Sequence, residues 1–164
     1  YTTLFRSGRI ITGKTSDLLG ASSALLLNVL KELAGIDHQK HVISPDAIHP
    51  IQELKTDYLG SKNPRLHMDE TMIALSISAA TNPEARLALE QFPKLKGCQA
   101  HTSVMLSSVD IWEFRKLGIE LTCEPKFEKE KTLPSATIRL TFLGGLTKKS
   151  VLPLLGLTKK SIVS

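Results

Sequence analysis

The stretch Leu18–Gly35, LLGASSALLLNVLKELAG, most narrows what this 164-residue chain can become. Its apolar residues Leu18, Leu19, Leu25, Leu26, Leu27, Val29, Leu30 and Leu33 cover more than one stripe of a helix. A helix apolar on nearly every side is buried, not laid on a surface. Ser16 or Asp17 is expected to cap its start, and Gly35 to end it in the usual C′ position.

The surrounding sequence alternates strand and helix signals. Ile10–Thr12 reads as a short strand ahead of this helix, and His41–Ser44 as a second strand. A helix follows from about Pro45 to Leu59, with Pro50 marking a kink or a later start. GSKNPRL, Gly60–Leu66, is a polar loop, and Asp69–Ala80 is an apolar helix with acidic residues in its first turn. Asn82-Pro83 opens another helix through about Leu95, closed by Gly97. His101–Leu106 is expected as a strand, Asp110–Leu117 as a short helix with Gly118 at its C-cap, and Ile119–Cys123 as a last strand. The order β-α-β-α-α-α-β-α-β predicts a layered α/β fold with a mixed or largely parallel sheet of about four strands.

The formal net charge of +5 raises the question of a nucleic-acid partner, and its distribution answers it. Residues 126–164 hold eight Lys or Arg and two Glu, while the other 125 residues hold thirteen basic and fourteen acidic side chains. The basic character belongs to the tail and the body is neutral. Aromatics are only 5% of the chain, too few for a base-stacking surface, so no nucleic-acid partner is expected. No apolar run reaches the ~18 residues that would span a membrane, and no signal peptide is visible. Cys98 and Cys123 are too far apart for a metal knuckle or a C-x-x-C pair. They read as two buried thiols in a reducing cytosol, which makes a cytoplasmic location the expectation.

Both ends look foreign to the part between. YTTLFRS, Tyr1–Ser7, is what one frame of a common sequencing adapter encodes, so residues 1–7 are expected to be non-native and residues 8–131 to be a fragment of a longer protein. GLTKKS occurs at Gly145–Ser150 and again at Gly156–Ser161, a period of eleven that would keep both Lys-Lys pairs on one helical face. Pro153 and the nearby glycines make that a poor helix. Residues 132–164 are therefore expected to be disordered or non-native.

GRIITGKT, Gly8–Thr15, matches the phosphate-loop pattern G-x-x-x-x-G-K-[ST] letter for letter. A working loop needs successive backbone N–H groups curled around a phosphate. Here the intervening residues are Arg9, Ile10, Ile11 and Thr12, with no glycine among them and a tandem isoleucine that favours a strand. The match is read as accidental. A weaker feature remains inside it: Lys14, Thr15, Ser16 and Asp17 between a strand and a helix start form a candidate anion site. The plainer reading of the same residues is a capped helix packed on its sheet.

Asn63, Arg65, His67, Asp69 and Glu70 form a second polar cluster at the mouth of a helix. Zinc deaminases need H-x-E with P-C-x-x-C, whereas this chain has His67-x-Asp69 and no C-x-x-C. No metal is expected, and helix capping by Asp69 is the plainer role. His38, His41, His49 and His101 stand in no recognisable catalytic spacing, and no G-x-S-x-G elbow is present. Catalytic residues and cofactors stay unassigned.

TGKTSDLLGASSALLLNVLKELAGIDH, LGSKNPRLHMDE, ALSISAATNPEARLALEQFPKLKGC and LGIELTCEPKFE together carry a family likeness. From about Gly8 to Lys131 the chain resembles the C-terminal part of the bacterial domain-of-unknown-function 1846 family, also called uncharacterised protein family 0371. The resemblance implies an intracellular bacterial protein, several times longer, with a glycine-rich phosphate-loop-like segment upstream of this part. It carries over no catalytic residues, and a label of ATP-dependent peptidase attached to some members finds no protease machinery here. The expectation is a non-catalytic α/β subdomain that supports an upstream domain or assembles subunits. Its partners would be the missing N-terminal domain of the same protein and, as an option, a second copy. The alternative is a phosphate- or nucleotide-handling enzyme site shared between Lys14–Asp17, Arg65–Glu70 and that missing domain.

Overall fold

The computed structural model describes residues 10–103 and 105–123, together with the backbone of 137–141. The Gly8 end of the phosphate-loop pattern, residues 1–7 and most of the 132–164 tail lie outside the described residues.

Strand β1, Ile10–Lys14, is followed by helix α1, Ala21–Ala34. Helix α2, Pro45–Glu53, runs into a wide helical turn at Leu54–Tyr58. Helices α3, Met68–Ser78, and α4, Pro83–Leu89, come next, then a tight turn at Phe92–Leu95. Strand β2, Gln99–Thr102, helix α5, Ser108–Lys116, and strand β3, Glu120–Cys123, complete the body. Strand β4 is Thr137–Thr141.

The sheet is mixed, in the order β1-β4-β2-β3. β2 and β3 are parallel, and β4 runs antiparallel to both β1 and β2. The three strands of the body thus point one way, as crossover helices require. Burial alternates along β1 and β2, with Ile11, Gly13, Ala100 and Thr102 covered and Ile10, Thr12, Lys14, Gln99 and His101 exposed. The face with Ile11, Gly13, Ala100 and Thr102 is the covered one, and α1 packs there on β1 and β4.

α1 fills the space between the sheet and the outer helices, packing on β1, β4, α3 and α4. Leu25, Leu26, Val29 and Leu30 are buried along it, which accounts for a helix apolar on more than one side. Ala21, Ser22 and Ser23 are buried where the strand comes closest. Gly35 takes φ 68°, a left-handed conformation, and its N–H closes the last turn on Glu32 O.

Four expectations need correction. The α/β class holds, yet the body supplies three strands and not four, because His41–Ser44 is not a strand. Ser44 instead caps α2, its hydroxyl accepting from Ala47 N–H at 3.2 Å, and Pro45 takes the first helical position. Val42 and Ile43 are buried from a loop, so their apolar pair reflects burial and not sheet pairing.

The long helix also begins later than expected, at Ala21, with Gly20 at its N-cap. Leu18 lies in a bend before α1, and Leu19 makes a parallel bridge with Leu66. Helix 83–95 is two pieces, since Pro93 follows a break after Leu89. α2 does start at Pro45 and carries Pro50 in its interior, so Pro50 marks no later start. Separately from these corrections, residues 137–141 pair as β4 between β1 and β2.

Candidate functional site

Gly13 and Lys14 belong to β1, so the GK of the pattern is the end of a strand and only Thr15 enters the following loop. Successive N–H groups of a strand point to opposite edges and cannot converge on one phosphate. Six residues, Thr15–Gly20, then separate β1 from the first turn of α1. Ser16 and Asp17 consequently cap no helix. The Ser16 hydroxyl accepts from Leu18 N–H at 3.3 Å and Leu19 N–H at 3.1 Å, closing a local turn. Lys14, Ser16 and Asp17 are exposed and Thr15 is half-buried.

The second polar cluster lies against this loop. Arg65 Nε donates to the Ser16 carbonyl at 2.6 Å, and Leu66 N–H donates to Leu18 O at 3.0 Å. Gly20 N–H returns to Leu66 O at 3.1 Å, and the buried Ser23 hydroxyl donates to the same oxygen at 2.9 Å. Gln52 Nε2 reaches Asp17 O at 3.1 Å. The two segments singled out in the sequence therefore meet, joined mainly through backbone groups.

α3 is capped from its third residue. Glu70 Oε2 accepts from His67 N–H at 2.8 Å and from Lys55 Nζ at 2.8 Å. Lys55 Nζ, on a side chain only 9% exposed, also donates to Arg65 O at 2.6 Å. Met68 N–H donates to Asp110 Oδ1 at 3.1 Å, and the other Asp110 oxygen lies 3.7 Å from His67 Nδ1. Carboxylates at the start of a helix meet its unpaired N–H groups and its positive end. Asp69 is not the cap: its Oδ1 is buried with no partner among the described residues. Asn63 Oδ1 accepts from Arg65 N–H at 3.2 Å and shapes the loop.

Lys55, Gln52 and Asp110 complete this network, and the sequence flagged none of them. Each sits on a different helix or turn, so no local spacing links them to Arg65 or Glu70. Among the described residues no group of three or more His, Cys, Asp or Glu is arranged to hold a metal ion. Cys98 is buried, which pushes its thiol up to about 11, so it stays protonated at neutral pH. Cys123 is exposed on the edge strand β3, against the expectation of two buried thiols. Among the described residues no helix is long and apolar enough to cross a membrane.

The family described as "Domain of unknown function DUF1846, C-terminal" matches residues 3–133. This chain belongs to that family. UPF0371 proteins of Corynebacterium efficiens and Corynebacterium diphtheriae are 58% and 60% identical to it over 127 and 124 residues. Those spans cover 77% and 76% of this chain but 26% and 25% of the relatives. A UPF0371 protein of Streptococcus pyogenes is 46% identical over 125 residues, again a quarter of its length. The chain thus spans about a quarter of the curated relatives it matches, and a larger region lies beyond the match in each of them.

Proposed function

We propose that this chain is a non-catalytic α/β subdomain that supports the larger region found in its relatives, or assembles their subunits. The observation that carries the reading is what the polar residues are used for. Arg65, Asn63, Glu70, Lys55 and Asp110 each bind backbone groups that hold one loop or cap one helix. Such bonds fix geometry and leave little for a substrate to recruit.

Exposed apolar side chains support the same reading. Ile73 and Ile77 stand on the solvent side of α3, and Val109 and Trp112 on that of α5, two helices that pack together. Apolar helix faces left in solvent suit contact with another part of a protein. The test is to assay this chain for turnover of nucleoside triphosphates and phosphoesters. No turnover above background is expected; turnover abolished by Lys14→Ala would overturn the proposal.

A second reading makes Lys14–Asp17 and Arg65–Glu70 part of a phosphate-handling enzyme site shared with the larger region. The 2.6 Å bond between Arg65 and Ser16 favours it, because it brings the two segments side by side. It requires Arg65 and Lys14 to serve a ligand, and the Nε of Arg65 is already engaged by a carbonyl.

A further inference from the structure

The three body strands run in one direction, yet β1 and β2 are not neighbours. One strand's width separates their edges, so roughly 9–10 Å lies between them, twice the ordinary inter-strand spacing. α1 packs across this slot on β1 and β4, so the backbone groups facing into it lie under a helix. Covered N–H and C=O groups left unpaired are costly, and the slot therefore demands a strand.

Here residues 137–141 provide it, and they lie beyond residue 133, where the family match ends. Five residues pair with β1 and four of the same five with β2. The register sets Leu140 opposite Ile11 and Ala100, and Ile138 opposite Gly13 and Thr102, all four of which are buried. The slot thus takes an extended segment with apolar residues at alternate positions, and the one seen in it runs antiparallel to both neighbours. Nothing in its geometry asks for residues 137–141 in particular.

We propose that the β1–β2 slot is a strand-acceptor site, and that in the longer family members its occupant is the chain immediately preceding β1. Three observations point to that occupant. The strand seen in the slot runs antiparallel to β1, and the simplest antiparallel neighbour is the sequence-adjacent one, joined by a hairpin loop of about 2–5 residues. The matched family is a C-terminal domain, so the larger region of the relatives leads into it from the N-terminal side. Within residues 3–133, the described strands β1 and β2 line the slot and β3 pairs the far edge of β2, so no described strand there is left to fill it. The identity of the occupant rests on the reading of this domain as a support for that larger region. Catalytic turnover would defeat that reading and leave the exchange pattern below unchanged.

Hydrogen exchange read by mass spectrometry tests the proposal. In this chain, amides of 11–14, 99–102 and 137–141 are expected to exchange slowly and together. Leu140→Pro removes a ladder donor from a central strand, and exchange in 11–14 and 99–102 should then rise roughly a hundredfold while α1 stays protected. A synthetic peptide of the residues preceding the matched region in the Corynebacterium efficiens relative should restore that protection, and a scrambled peptide should not. Unchanged exchange in the variant, or no effect of the peptide, overturns the proposal. A second measurement needs no variant. In the full-length relative, the segment just upstream of the β1 equivalent should exchange as slowly as β1, and free exchange there overturns the proposal whatever Leu140→Pro does.

Discussion

Gly13 and Leu25 touch backbone to backbone: a Cβ placed on Gly13 would lie 2.2 Å from the Leu25 nitrogen. It would also lie 2.4 Å from Ala21 O and 2.5 Å from Leu25 Cα. Every clash is with main chain, which no rotamer change relieves. This glycine therefore answers to the approach of α1, through Ala21 and Leu25, and not to a phosphate. The phosphate-loop pattern is met by a residue chosen for packing.

Gly13→Ala should destabilise the chain by about 3 kcal/mol, the upper end of overpacking costs. Gly20→Ala is the contrast, since its Cβ would meet only Leu66 O at 3.4 Å and its φ of −64° is ordinary. Lys14→Ala, on an exposed strand end, should stay within about 0.5 kcal/mol of the parent. Urea unfolding of the three variants separates packing from any role of the pattern as a unit.

Glu70→Ala removes the acceptor shared by His67 N–H and Lys55 Nζ. It leaves a nearly buried ammonium with only the Arg65 carbonyl. A cost of about 2–3 kcal/mol is expected, below the full penalty for a broken buried pair because the Glu70 side chain is 25% exposed. Lys55→Met together with Glu70→Gln should recover part of it, since the unpaired charge is then gone. A thermodynamic double-mutant cycle measures the coupling.

Cys98 gives a pH dependence with a definite sign. Burial raises its thiol from 9.0 to about 11 in the folded chain. Between these values the unfolded state gives up a proton that the folded state keeps, so stability falls as pH rises from 9 to 11. Relative to Cys98→Ala, the parent should lose about 2–3 kcal/mol across that window. Lys31 acts the other way, burial lowering its pKa below 10.5, and taking the difference between the two proteins cancels its contribution. At pH 8 in the native state, thiol labelling should modify Cys123 and spare Cys98.

Much of the body was legible from the sequence because its signals are local. Asn82 caps its helix through its own side chain, and Gly35 and Gly118 take the left-handed conformation just past helix ends. The misreadings came from features set by partners distant in sequence. Val42 and Ile43 look like a strand, but burial alone wants them apolar. Leu18 and Leu19 look like the first turn of α1, but the turn closed by Ser16 and the bridge from Leu19 to Leu66 hold them outside the helix. Lys55 and Asp110 were invisible as members of the cluster because their partners lie 15 and 42 residues away. The adjacency of Ser16 and Arg65, 49 residues apart, was a condition the sequence could pose and only the fold could answer.

The supporting role is tested most directly by calorimetric titration of the intact chain with ATP and, separately, with inorganic phosphate. The account predicts no saturable heat for either, with Lys14→Ala and Arg65→Ala indistinguishable from the parent. Saturable binding of either ligand to the parent, lost in both variants, would contradict it and make the Ser16–Arg65 junction a site.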